Sequence, residues 1–224
     1  MNEARARDEI CRVGRSLFER GYVHATAGNI SVRIDDSEGG GYVITPSDAC
    51  LGFLDPARLA RVDADGRQVA GERASKTVAL HMRIYAAARR FDPATSCVVH
   101  THAAHCVALT LASCAAELLP AITPYFVMKV GHVPVIAYCR PGGSAAAEAV
   151  SQAIARYGEA GTPIRAVMLE RLGPNVWHDT PSAAMAVLEE LEETARLACI
   201  VREWPRPLTD AQIDELRTTF GARW

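Results

Sequence analysis

The segment Ser96-Cys97-Val98-Val99-His100-Thr101-His102-Ala103-Ala104-His105-Cys106 gathers the residues of this chain best suited to chemistry. Its first half is a β-branched run that reads as a buried strand, and alternation along a strand sends side chains two apart to one face. His100 and His102 are therefore expected to point the same way. Two neutral imidazoles converging at a strand end suit Zn, Mn or Fe; the alternative is one histidine in a core hydrogen bond and one facing solvent. His105 falls outside that register, in the turn or helix that follows. Two other stretches could hold an anion. Thr45-Pro46-Ser47-Asp48 is a polar turn whose hydroxyls and amides could face a ligand or simply reverse the chain. In Ala74-Ser75-Lys76-Thr77, Ser75 stands where a helix N-cap belongs. The free amides of that helix start, with Lys76 beside them, read either as an anion site or as an ordinary cap with a solvated lysine.

The elements that must position these residues follow from periodicity. Asn2 to Arg20 places Ile10, Val13, Leu17 and Phe18 on one helical stripe, with Gly21 as its stop. Thr26 to Ile34 is a glycine-asparagine turn running into an alternating strand that returns as Tyr42-Val43-Ile44, an antiparallel hairpin. Asp55-Pro56 opens a helical turn, and Asp65-Gly66 between Ala60 and Val69 suggests a second hairpin. A helix is expected from Val78 to Arg90, ended by Phe91-Asp92-Pro93, then the histidine strand and a helix from Ala103 to Cys114. Ile122 to Val130 and Val133 to Tyr138 read as β segments, Ser144 to Tyr157 as a helix and Ala166 to Leu169 as a strand that leads to Gly173-Pro174-Asn175-Val176-Trp177. Pro181 to Glu203 reads as a long helix, and a final helix capped by Thr209 runs to Phe220.

The chain has 224 residues, 49% hydrophobic and 22% charged, enough for one substantial core, and one domain over 1–224 is expected. A net charge of −2 gives no electrostatic reason for nucleic acid or an anionic membrane as partner. The cysteines Cys11, Cys50, Cys97, Cys106, Cys114, Cys139 and Cys199 are odd in number and scattered through apolar segments, as small buried hydrophobes in a reducing compartment would be. The N-terminus lacks the apolar run of a signal peptide and no stretch is long enough to span a bilayer, which points to the cytoplasm. No GxGxxG or Walker lysine motif occurs.

Several of these pieces match one family in order along almost the whole length. The chain resembles the class II aldolase/adducin family through Ala27-Gly28-Asn29-Ile30-Ser31, Ile44-Thr45-Pro46-Ser47, Ser75-Lys76 and Val99-His100-Thr101-His102. Within it, Ser47 to Gly52, Leu119 to Gly131, Arg140-Pro141-Gly142 and Leu188 to Ala195 look most like members that decarboxylate 3-oxo-tetronate 4-phosphate. The resemblance implies an α/β three-layer fold, a central and mainly antiparallel sheet between helices. It also implies a homotetramer with metal sites near subunit interfaces, a divalent metal with zinc favoured over manganese, and a small phosphorylated sugar acid as substrate. His100 and His102 fall on two of the family's metal ligands. Asn29, Ser47, Ser75 and Lys76 fall on or beside positions that cradle the substrate phosphate, and Tyr125 on a proton donor that reaches the neighbouring subunit's site.

Two positions depart from the family pattern. Thr77 stands where the family has an acidic base, and Leu172 where a third metal histidine precedes Gly-Pro. An aldolase must move a proton next to a carbonyl and suffers from losing that base. A decarboxylase reaches the same enolate by losing carbon dioxide, so Thr77 counts against aldol chemistry more than against decarboxylation. Leu172 harms both, because two histidines hold a metal weakly without another ligand; Glu170 and His178 are the nearby candidates. The expectation is thus a metal-dependent decarboxylase, with a short-sugar-phosphate aldolase or an adducin-like binding protein as the alternatives.

Overall fold

The computed structural model describes residues 1–112 and 115–224. The strands β1 (Asn29–Arg33), β2 (Tyr42–Ile44), β3 (Ala60–Val62), β4 (Gln68–Ala70), β5 (Cys97–His100), β6 (Val135–Ile136), β7 (Ala166–Leu169) and β8 (Gly173–His178) form one eight-stranded sheet in the order β4-β3-β2-β1-β5-β8-β7-β6. Every pairing is antiparallel except β6 with β7. The histidine strand β5 lies inside the sheet, between β1 and β8, and every residue in it is buried.

Alternation along these strands feeds two separate cores. Ile30, Val32, Cys97, Val99, Met168 and Val176 face one layer, made by α1 (Glu3–Glu19), α3 (Ala104–Ala112) and α5 (Pro181–Ile200). Val98, Val167, Leu169 and Trp177 face the other, where α2 (Val78–Ala88) and α4 (Ser144–Glu159) pack on each other. The helices on both faces of a mainly antiparallel sheet make the expected three layers. A last helix, α6 (Asp210–Phe220), begins with the expected Thr209 cap, which closes a capping box with Gln212. No helix among the described residues is long and apolar enough to cross a membrane.

The first helix buries Ile10, Val13 and Leu17 as its stripe requires, and both hairpins form. Four expectations change. Ile122 to Val130 is not β: Phe126–Val130 forms a π-helical turn after Pro124, with Thr123 Oγ1 accepting the Phe126 amide at 3.1 Å. Its buried residues Phe126, Val127 and Val130 follow helical spacing, which a β-branched run disguises. The strand expected over Val133 to Tyr138 shrinks to β6. The long helix α5 stops at Ile200 rather than Glu203, since Val201 is already extended and Pro205 disfavours a helical Trp204. Ser75 is not the cap of α2. Thr77, two residues later, holds the N-cap position; the Ser75 hydroxyl accepts the Thr77 amide at 3.4 Å and the Ser75 amide donates to the Thr45 carbonyl at 3.1 Å. Of the cysteines, Cys97 and Cys106 are buried, Cys11, Cys50 and Cys139 half-buried and Cys199 exposed. Cys114, with the expected end of the helix after the histidines, lies outside the described residues.

The helix α3 starts immediately after the histidine motif, and its N-terminus is held from across the core. Glu192 of α5 accepts the His105 amide at 2.9 Å, the Cys106 amide at 3.0 Å and a contact from His105 Nδ1 at 2.8 Å. A carboxylate here satisfies amides that every helix start leaves free and complements the positive end of the dipole. Glu192→Ala is expected to destabilise the fold by about 1–3 kcal/mol, the typical penalty for leaving buried donors unpaired. Chemical denaturation checks the loss, and Glu192→Gln, which keeps one acceptor oxygen, should fall between the two.

Candidate metal and phosphate site

The site lies where polar residues replace apolar ones at the end of three adjacent strands. Register pairs Asn29 of β1 with His100 of β5, and His100 with Asn175 of β8, so these side chains form one row on the α2/α4 face of the sheet. Two glycines allow the backbone to close around that row. A Cβ on Gly28, which has a φ of +85°, would lie 2.8 Å from the His100 carbonyl oxygen. One on Gly173 (φ +142°) would collide with the carbonyl of Thr101, the residue between the two histidines.

His100 is buried, and its Nδ1 donates to the Pro174 carbonyl at 2.9 Å. A carbonyl can only accept, so Nδ1 carries the proton and Nε2 is left with its lone pair. Burial, and then the neighbouring His102, lower the His100 pKa to about 4. His102 lies beyond the strand end, half-buried, with its pKa lowered chiefly by burial and secondarily by His24. The His100 and His102 rings stand 5.2 Å apart between centroids at 67°. Two imidazoles kept neutral, one with its tautomer fixed by a second partner, are the donor set a divalent cation needs. The residues present fit such an ion. Among the described residues, no three His, Cys, Asp or Glu side chains already converge as a complete metal-holding group.

The residues expected to cradle an anion are brought together by a bridge between two loops. Pro46 pairs antiparallel with Ala74, the Ser47 amide donates to the Arg73 carbonyl at 2.8 Å and the Ser75 amide to the Thr45 carbonyl at 3.1 Å, and both serines line the same cleft. Thr77 Oγ1 donates to Asn29 Oδ1 at 2.9 Å and lies 3.0 Å from Ser75 Oγ. Lys76 and Asp48, both exposed, face each other at 3.7 Å, a contact worth little in solvent. Asn29, Ser47, Ser75, Lys76, Thr77, His100 and His102 all line one cleft of about 340 Å³, a size suited to a small metabolite. The sequence-derived residues thus come together with one exception. Tyr125 is 62% exposed and does not line this cleft.

Neither suggested replacement for the third histidine reaches the site. His178 pairs with Cys97, three residues along the strand from the His100 register and so roughly 10 Å away; its Nδ1 contacts Asp179. Glu170 accepts the Tyr138 amide at 2.9 Å and lies 3.5 Å from Arg171. Leu172 itself lines the cleft. The opposite wall, Cys139, Arg140, Gly142, Gly143 and Ser144 at the start of α4, was not assigned a role from sequence. Its signal, Arg140-Pro141-Gly142, stood out as a family motif, but nothing local says that it faces the histidines. His24 also escaped notice, because it belongs to no periodic pattern.

Comparison with known proteins places these features in context. Residues 8–199 match the family described as Class II Aldolase and Adducin N-terminal domain. The chain is 48% identical to the 3-oxo-tetronate 4-phosphate decarboxylase of Cupriavidus necator, covering 99% of both chains. It is 29% identical to the L-fuculose phosphate aldolase of Methanococcus vannielii, covering 88% of this chain and 98% of that one. Among solved structures, Escherichia coli YgbL superposes with a TM-score of 0.83 at 37% identity, covering 96% of this chain and 99% of that one.

Behind His100 lies a buried polar network: Ser31 Oγ contacts His81 Nδ1 at 2.7 Å and the Tyr85 hydroxyl at 2.9 Å. Burial, and then His100, lower the His81 pKa to about 3 from its ordinary 6.5. An unfolded chain therefore takes up a proton near pH 6.5 that the folded one refuses until about pH 3. Histidine's contribution to stability is full above pH 6.5 and falls as the pH drops below it. Urea denaturation between pH 7 and 5 should show this decline, and His81→Gln should flatten it relative to wild type.

Proposed function

Because the chain belongs to the class II aldolase and adducin family, we propose that it is a metal-dependent carbon–carbon lyase that decarboxylates a phosphorylated 3-oxo sugar acid such as 3-oxo-tetronate 4-phosphate. Thr77 carries this choice: its hydroxyl, bonded to Asn29, lines the cleft with His100 and His102 at the position where the family resemblance implies an aldolase's carboxylate base. The 48% identity to a decarboxylase, against 29% to a fuculose phosphate aldolase, supports the same choice.

In this mechanism Asn29, Ser47, Ser75 and Lys76 bind the phosphate and so fix the distance from it to the reacting carbons. His100 Nε2 and His102 would hold the cation, zinc in first place and manganese in second. When bound, that ion supplies Lewis-acid polarisation of the 3-oxo group. The bond between the carboxyl carbon and its neighbour breaks, carbon dioxide leaves, and the electron pair passes into the ketone as an enolate. That carbon then takes a proton from water or from Tyr125 of a second copy, giving a three-carbon ketose phosphate. Tyr125 is exposed and outside its own cleft, as a residue serving a neighbour in a homotetramer would be. We assign the enzyme to the cytoplasm.

A carbon dioxide assay run beside an aldol-cleavage assay tests the proposal on metal-loaded protein. Release of carbon dioxide from 3-oxo-tetronate 4-phosphate without cleavage of fuculose or ribulose phosphates is expected; cleavage without decarboxylation overturns it. Ser75→Ala and Lys76→Ala should chiefly raise KM, since they touch the phosphate and not the bond that breaks. Replacing His100 and His102 together with alanine should abolish stoichiometric metal and activity.

A further inference from the structure

A cation held by His100 and His102 alone would be short of protein ligands, since catalytic zinc sites usually use three. Leu172 has no lone pair to offer, Glu170 is engaged by the Tyr138 amide and His178 lies at the far end of β8. His24 is different. Its ring stands edge-on to His102, with centroids 6.3 Å apart at 72°. We propose that His24, from the loop between α1 and β1, is the third protein ligand of this site and takes over the role that Leu172 cannot fill. The proposal rests on the metal-dependent reading given above.

Relative to His102, the ring of His24 needs only a small adjustment. Zinc–nitrogen bonds of 2.0–2.1 Å in a tetrahedral arrangement put the centroids of two bound imidazoles about 5 Å apart, the spacing His100 and His102 already show at 5.2 Å. His24 must close by roughly 1 Å relative to His102. It is exposed, and among the described residues no hydrogen bond holds its ring, so side-chain rotation is open to it.

The backbone around it is fixed more firmly than an ordinary loop. Val23 on one side is 3% exposed. Ala25 on the other has a φ of +47°, a left-handed conformation that non-glycine residues rarely adopt and that costs about 1 kcal/mol or more. The His24 carbonyl accepts the Ala27 amide at 2.9 Å, and the next residue, Gly28, sits against the His100 carbonyl. One tight turn therefore ties His24 to the same backbone that carries His100.

Competition with a chromophoric chelator for Zn²⁺ measures the affinity of the purified protein, and the Co²⁺-substituted protein reports its ligands through visible absorption. His24→Ala is expected to weaken Zn²⁺ binding tenfold or more and to shift the Co²⁺ bands, with thermal stability of the metal-free protein unchanged because the side chain is exposed. Leu172→His in the His24→Ala background should restore tight binding. An unaltered affinity and Co²⁺ spectrum in His24→Ala, with wild type loading one ion per chain, overturns the His24 assignment alone. A wild type that loads no metal overturns both this assignment and the metal-dependent reading beneath it.

Discussion

The hydrogen bond from His100 Nδ1 to the Pro174 carbonyl ties chemistry to fold at one point. It joins the histidine strand to the first residues of β8, where Gly173 is packed so that no side chain could fit against Thr101. The tautomer of His100, the path of the chain between His100 and His102 and the closure of the sheet by β8 therefore stand or fall together. Burial of the ring reinforces this: an imidazole whose pKa is lowered to about 4 remains a lone-pair donor at any physiological pH.

Around that point the sheet acts as a jig. Asn29, His100 and Asn175 are neighbours only because β1, β5 and β8 pair in one register, although they are separated by most of the chain. Two loops complete the arrangement without regular structure of their own. The Pro46–Ala74 bridge joins the two loops with Ser75 opposite Thr45, and the Thr77 hydroxyl links Ser75 to Asn29. On the opposite face, Glu192 holds the helix that begins two residues after His102, so the motif is anchored from both layers.

Local signals made much of this legible before the structure. Stripe and glycine stop mark α1, turn chemistry marks both hairpins, and the Thr209 cap marks α6. The seven site residues on β1, the two loops and β5 came from motifs whose types are chemically distinctive, and the fold brings them into one cleft. What escaped depends on contacts distant in sequence. Phe126 to Val130 is rich in β-branched residues yet helical, because its burial follows the packing of the C-terminal segment and α5 rather than a neighbouring strand. Ser75 has the residue type of a cap, yet the N-cap position of α2 falls two residues later, at Thr77, after the bridge between the Pro46 and Ala74 loops. The Glu192 anchor of α3, the α4 wall of the cleft and the approach of His24 to His102 arise only through tertiary structure.

The division of the strands between two cores carries a further consequence. Along β5, Cys97 and Val99 point into the layer of α1, α3 and α5, whereas Val98 and His100 point toward α2 and α4. Along β1 the same alternation sets Ile30 and Val32 against Asn29 and Ser31. One side of these two strands is thus apolar throughout, and the other turns polar as it nears the cleft. Selection can act on these faces almost independently: drift at the odd-numbered positions of β5 is filtered by whether the chain folds, and drift at the polar end of the other face by what the folded chain can bind. A lineage could therefore change its chemistry at positions such as Thr77 and Leu172 while the layer beneath keeps the scaffold intact.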